Sequence, residues 1–203
     1  MNRTRGRVRT LRRLSQRLDC LLDSLLEFSR VGRLDLAIGD TNLDDVLSQV
    51  LDSLRITLEE KGITVRIPEP LPTVQCDRVR IAEVFRNLVT NAMKYNDKPQ
   101  QWIEIGFDRH PRAAGEPSGQ AVPREVSPVF YVRDNGIGIR EKHQGSIFRI
   151  FKRLHGRDKF GGGTGVGLTI VKKIIERHGG RIWIDSVVNE GTTFYFTLAG
   201  DPS

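Results

Sequence analysis

Three groups of residues have types and spacings suited to binding chemistry. The first is RLHGRDKFGGGTGVGL, residues 153–168, which contains three consecutive glycines, Gly161, Gly162 and Gly163. Such a run adopts many backbone conformations and is costly to order. Directly after it, Val166, Leu168, Ile170, Val171, Ile174 and Ile175 repeat as an apolar helical stripe. A loop that feeds a helix N-terminus offers unpaired N–H groups and the positive end of the helix dipole, which suits a phosphate chain. A plain flexible linker ahead of a helix would carry the same glycines. The second group is Asn87, Asn91 and Lys94, spaced i, i+4, i+7. At about 100° per residue they form one helical stripe, roughly 100° round from the apolar one. Two carboxamides and an ammonium therefore line the edge of a core, although a polar helix flank has the same pattern. The third group is Asp134 in DNGIGI, residues 134–139. Its carboxylate, an acceptor only, ends a strand just before Gly136 and Gly138, which permit tight backbone geometry.

These groups must be held by the elements around them. The spacing predicts a helix over 78–97, capped by Asp77, with a buried stripe of Ile81, Val84, Phe85, Leu88, Val89 and Ala92. A preceding helix begins at Thr41 or Asn42, buries Leu43, Val46, Leu47, Val50, Leu51, Leu54 and Leu58, and ends at Gly62. A half-buried strand at 63–67, the stiff turn PEPLP and a short strand at 73–76 lie between the two helices. Residues 102–107 and 129–134 read as an antiparallel hairpin, with 108–128 as an exposed, poorly ordered loop rich in Pro, Gly, Ala and charge. A short helix is expected at 147–151. The helix after the glycine loop stops at Gly179 and Gly180, and strands at 181–186 and 192–198 close the chain around a turn at 189–191. Gly32 and Gly39 mark a short link before all of this. The order implies one mixed sheet with helices packed on one face, an α/β sandwich.

Ahead of the link, residues 3–31 read as one long helix. Leu11, Leu14, Leu18, Leu21, Leu25 and Phe28 form a heptad seam, widened by Leu22 and Leu26. Such a helix is expected to pack in a bundle, with its copy in a second chain, unless it covers the following domain as a core helix. The net charge of +7 is partly local, because six arginines fall between Arg3 and Arg13. No aromatic residues interleave with them as single-strand binding would favour, so a solvated helix face is preferred to a nucleic-acid site. There is no apolar run of about 18 residues to span a membrane, and MNRTRGRVRT does not read as a signal peptide. Cys20 and Cys76 are isolated, which suits reduced thiols in a cytoplasmic protein.

In order along the chain, these blocks resemble the catalytic, ATP-binding domain of sensor histidine kinases, which shares its Bergerat-type two-layer α/β sandwich with gyrase, the mismatch-repair ATPase and the heat-shock chaperone ATPase. NLVTNAMKY (87–95) is similar to the N box, DNGIGI (134–139) to the first glycine box and IFRIFKRLH (147–155) to the F box. GGGTGVGL (161–168) is similar to the second glycine box and GTTFYF (191–196) to the terminal strand motif. FSRVGR, FKRLHGRD and KKIIERHGGRIW further resemble phytochrome-type and related PAS-linked kinases. Residues 1–38 are similar to the second helix of the dimerisation and phosphotransfer hairpin, and 40–200 to the catalytic domain.

The resemblance implies ATP and Mg²⁺ as ligands. Asp134 would accept from the adenine amino group, discriminating against guanine, and Gly136 and Gly138 would let the backbone approach the base. Asn91 would give a carboxamide oxygen to Mg²⁺. Lys94 and Arg153 would neutralise phosphate charge, and Tyr95 would wall the nucleotide. Residues 161–167, with Thr164, would close over the phosphates. The nucleotide set extends to Ile139, Gly165, Val166, Gly167, Leu168 and Thr192. Asn87, Lys94 and Arg153 would serve catalysis. Asn87 stands where the ATPase relatives carry a water-activating glutamate, and a carboxamide is no useful general base; slow hydrolysis is therefore expected, with the γ-phosphoryl kept for a nucleophile. None of His110, His143, His155 and His178 lies on a long amphipathic helix with an acidic neighbour, so the acceptor histidine is expected outside these residues. The implied partners are a histidine-bearing hairpin, a response-regulator receiver domain and a second copy joined through residues 3–31, with no nucleic acid and no membrane segment. A non-catalytic nucleotide-binding and dimerisation module is the alternative; an ATPase of the gyrase class is disfavoured by Asn87.

Overall fold

The computed structural model describes residues 35–108, 128–149 and 165–198. The elements run in the order β1 (Ile38–Asn42), α1 (Leu43–Glu60), β2 (Thr64–Arg66), β3 (Thr73–Asp77), α2 (Arg78–Lys94), β4 (Trp102–Asp108), β5 (Val129–Asp134), α3 (Glu141–Gln144), α4 (Gly167–Arg177), β6 (Ile182–Val187) and β7 (Gly191–Thr197). Five strands form a mixed sheet in the order β2-β4-β5-β7-β6. Only β2 and β4 are parallel; the other neighbours are antiparallel.

Period-two alternation splits the sheet into two faces. Ile103, Ile105, Phe107, Phe130, Val132, Phe194 and Phe196 point into one core with the apolar stripes of α1, α2 and α4. Phe196 is central, stacked on Phe130 at 5.3 Å between ring centroids and meeting Phe85 of α2 edge-on at 5.9 Å. The opposite face carries Trp102 between the guanidinium groups of Arg66 and Arg133, 5.2 and 5.6 Å from its centroid. The expected α/β sandwich with helices over one face of a mixed sheet is therefore present.

Three local expectations are corrected. The link around Gly39 is strand β1, which pairs antiparallel with β3 as a separate two-stranded sheet. A polar IGDTN segment has no alternation to reveal it, and its partner lies some 35 residues away. The second long helix ends at Lys94 rather than 97, because Asn96 turns the chain: its Oδ1 accepts from the Lys98 N–H at 3.0 Å, and a local side-chain bond of this kind competes with helix. Between the DNGIGI box and the glycine loop, the helical turn is α3, not residues 147–151. Residues 147–149 form a turn and bend; the remainder of that segment lies outside the described residues. The long helix at 3–31 and most of the loop at 108–128 also fall outside them.

Candidate nucleotide site

The site is assembled where α2, the end of β5 and the start of α4 converge. Helix α2 begins at Asp77, whose Oδ1 accepts the N–H groups of Val79 and Arg80 at 3.0 and 3.1 Å. Its predicted apolar stripe is buried throughout, and that fixes the rotation of the helix. Asn87, Asn91 and Lys94 are consequently left half-buried along one edge.

Asp134 occupies the last position of β5, where it is only 8% exposed. Its Oδ1 accepts the Gly136 N–H at 2.8 Å. Burial pushes its carboxyl up to about 6, opposed by backbone N–H donation from Gly136 and Thr192. Thr192 is its cross-strand partner on β7. The loop that follows leaves no room for side chains. A Cβ at Gly136 would meet the Tyr95 carbonyl, and one at Gly138, whose φ is +66°, would meet the Val187 carbonyl. Ile137 is held on both sides: its N–H donates to Tyr95 O at 3.0 Å, and its carbonyl accepts from Asn189 N–H at 2.9 Å.

Two polar clusters brace this loop, and neither was evident from the sequence. Asn135 Oδ1 accepts from Asn96 Nδ2 at 2.8 Å and from the Trp102 N–H at 3.0 Å, while its Nδ2 donates to Gln100 O at 2.7 Å. This joins the loop to the turn after α2. On the other side, Ser186 Oγ accepts the Ile139 N–H at 2.8 Å and donates to Gly191 O at 2.9 Å. A hydroxyl has one proton, so the 2.8 Å contact with Thr192 Oγ1 has Thr192 as donor. Thr192 thus lies beside Asp134, and its hydroxyl is engaged with Ser186. Asn96 and Asn135 could have been noticed as asparagines at the ends of a helix and a strand. Ser186, within an otherwise ordinary strand, gave no signal.

On α2, Asn87 Nδ2 donates to Glu83 O at 3.0 Å. Its Oδ1 lies against Gly167, where a Cβ would be 2.6 Å away. The first residue of α4 therefore sits directly over Asn87. Gly165, with φ of +75°, turns the chain into α4. No side chain caps that helix, which leaves the N–H groups of its first turn for another acceptor. Val166 is buried in the core and Leu168 packs against it. Lys94 Nζ lies 5.1 Å from the Tyr95 ring centroid, which puts a cation beside an aromatic wall. Among the described residues, the Asn91 carboxamide makes no hydrogen bond and no cluster of three His, Cys, Asp or Glu side chains is suited to a metal. The half-buried Asn91 carboxamide oxygen is the kind of hard donor that fits Mg²⁺, which binds through few protein oxygens and completes its shell with water and phosphate. Arg153, Gly161, Gly162, Gly163 and Thr164 lie outside the described residues.

Comparison with known proteins agrees with this geometry. The family of histidine kinase-, DNA gyrase B-, and HSP90-like ATPases matches residues 76–202. The chain is 56% identical over 189 residues to cyanobacterial phytochrome B of Nostoc sp., an alignment covering 93% of this chain and 23% of that protein. The chain thus spans about a quarter of that relative's length. The nucleotide-free catalytic domain of histidine kinase ThkA superposes with a TM-score of 0.62 at 26% identity, over 80% of this chain and 95% of that one. Full-length ShkA in complex with AMPPNP shares the fold, with a TM-score of 0.69 at 24% identity over 98% of this chain and 40% of that one. By its boxes, its sheet and the family match, the chain belongs to the histidine kinase-, DNA gyrase B- and HSP90-like ATPases, as a catalytic ATP-binding domain of the sensor histidine kinase kind.

Proposed function

We propose that the chain holds Mg-ATP within a two-component sensor kinase and presents the γ-phosphoryl group to a histidine on a dimerisation hairpin, from which it passes to a response-regulator receiver domain. The observation that carries this reading is the buried carboxylate of Asp134, held by backbone N–H groups beside glycines packed too closely on the Tyr95 and Val187 carbonyls to admit a side chain. A carboxylate so placed accepts from an exocyclic amino group and repels a carbonyl, which selects adenine over guanine. Toward the phosphates, Lys94 and Arg153 supply charge, the uncapped start of α4 supplies N–H donors, and Asn91 supplies an oxygen to Mg²⁺. Bound magnesium would neutralise charge on the β- and γ-phosphates.

Asn87 favours transfer over hydrolysis. Its amide donates to a backbone carbonyl and its oxygen faces Gly167, so it offers no base to activate water. His178 is also unsuited as an acceptor, because both of its ring nitrogens are engaged in the interior. Calorimetry with ADP, a non-hydrolysable ATP analogue and GTP, with and without Mg²⁺, tests the reading. Adenine nucleotides should bind, GTP should not, and Asp134→Ala should lose binding. Equal affinity for GTP would falsify it. Transfer of label to an added hairpin, with slow steady-state hydrolysis, is the expected catalytic outcome.

A further inference from the structure

His178 lies far from the nucleotide residues along α4, yet it bonds the residue that caps α2. It is 7% exposed and follows the last residue of α4. The Asp77 backbone N–H donates to its Nε2 at 3.0 Å, across 101 residues of sequence. A backbone N–H can only donate, so Nε2 is bare and the ring proton is on Nδ1. That proton faces the Ile174 carbonyl at 2.8 Å. One neutral imidazole therefore joins the C-terminal end of α4 to the residue that caps α2.

The Asp77 residue is itself fixed by three further bonds. Its Oδ1 caps α2, as described, and its Oδ2 accepts the Ala37 N–H at 3.0 Å, just before β1. The start of α2, the lead into β1 and the end of α4 thus meet at one point. The other end of α4 meets α2 at Gly167 and Asn87. Helix α4 therefore touches α2 at both of its own ends, by hydrogen bonds at His178 and by close approach at Gly167 to the middle of α2, and a helix of this length spans about 16 Å. The uncapped N–H groups of α4 begin at Gly167, at the opposite end of the helix from His178.

We propose that His178 is a positioning residue for the phosphate side of the nucleotide site: by accepting the Asp77 N–H it sets the axial register of α4 against α2, and so the place of the α4 N-terminus over Asn87. The proposal rests on the nucleotide reading above. It assigns His178 no contact with nucleotide and no transfer of protons.

Three variants of the full chain separate this role from simple packing. His178→Gln retains an acceptor able to reach the Asp77 N–H. His178→Asn retains only a group near the Ile174 carbonyl. His178→Phe fills the volume with neither. Affinities for ADP and a non-hydrolysable ATP analogue with Mg²⁺ are measured by calorimetry where urea titration shows each variant folded. The expected result is a loss of about tenfold or more for Phe and Asn, of the kind small misplacements produce, with most of it restored in Gln. In parallel, the Gly167 amide resonance should move in Phe and Asn and return in Gln. Variants that lose stability but bind as tightly as wild type would overturn the proposal, as would Gln binding no better than Phe. If the variants fail to fold, the ring ¹⁵N shifts of wild-type His178 decide, because a proton on Nε2 excludes the Asp77 bond. Wild type that binds neither nucleotide would sink the nucleotide reading and this proposal with it; wild type that binds while all variants match it would sink this proposal alone.

Discussion

An ionised carboxylate with little water around it destabilises an empty fold, and Asp134 is such a group. Its ordinary value is 3.8, and burial outweighs the Gly136 and Thr192 N–H bonds to bring it to about 6. The folded chain therefore holds this proton more tightly than the unfolded one. Stability from this group is fully present below the unfolded value and is lost as pH rises through about 6. The difference corresponds to at most about 3 kcal/mol at neutral pH. Asp134→Asn keeps an acceptor for the Gly136 N–H and removes the charge. Urea unfolding should thus show the variant more stable than wild type at pH 8, with the gap closing by pH 4, while adenine binding is weakened. A gap that stays the same at both pH values would show that desolvation of Asp134 is not the cause. A second residue-scale prediction concerns Gly167. A methyl group there would stand 2.6 Å from Asn87 Oδ1, so the Asn87 side chain must shift against its bond to Glu83 O, a cost of about 1 kcal/mol. Gly167→Ala should lower the urea midpoint, and adding Asn87→Ala should recover most of the loss. Simple additivity of the two changes would argue against this contact.

At the level of elements, Asp77 is a capping residue whose loss can be predicted from its bonds. Asp77→Ala removes the acceptor for two N–H groups of the first α2 turn and for Ala37 N–H. Caps of this kind contribute about 0.5–2 kcal/mol, and a loss in that range is expected in chemical denaturation, with Asp77→Asn losing less. Asp77 was legible as a cap because it is an acidic residue directly before a 3.6-residue apolar stripe. The same periodicity made α1, α2 and α4 legible, since each buries one continuous face. Strand β1 was not, because five residues with a single large apolar side chain carry no pattern, and its pairing with β3 is set by tertiary structure. Helix α3 was missed for a related reason: EKHQ has no apolar residue to reveal its period and buries none. In the site, Asp134, Gly136, Gly138 and the α2 stripe could be read because their chemistry resides in residue type and spacing. Asn96, Asn135, Ser186 and His178 act through partners distant in sequence, up to 101 residues for His178, and spacing alone does not disclose such pairs.

On the scale of the whole molecule, ligand and proton compete for one carboxylate, and their linkage should be visible in the melting of the chain. A ligand that binds only the folded state stabilises it by about 2.7 kcal/mol when present at 100 times its dissociation constant. If adenine is held by ionised Asp134, binding above about pH 6 requires no change in protonation. Below that value the carboxyl must first release its proton, and affinity should fall by up to about tenfold per pH unit. The rise in Tm produced by a fixed concentration of ADP with Mg²⁺ should therefore be nearly constant from pH 7 to 8.5 and shrink progressively toward pH 5. Calorimetric binding at pH 5.5 should also release protons, giving heats that depend on the ionisation enthalpy of the buffer, and this dependence should vanish at pH 8. The ADP β-phosphate titrates near pH 6 as well, so the control is the same measurement on Asp134→Asn with the nucleotide concentration raised to obtain residual binding. Proton release that persists in that variant belongs to the phosphate; release seen only in wild type belongs to Asp134. Because Asp134 contributes least to the empty fold where it is ionised, and nucleotide binds best under the same conditions, the stability that nucleotide supplies should be larger near neutral pH than at pH 5.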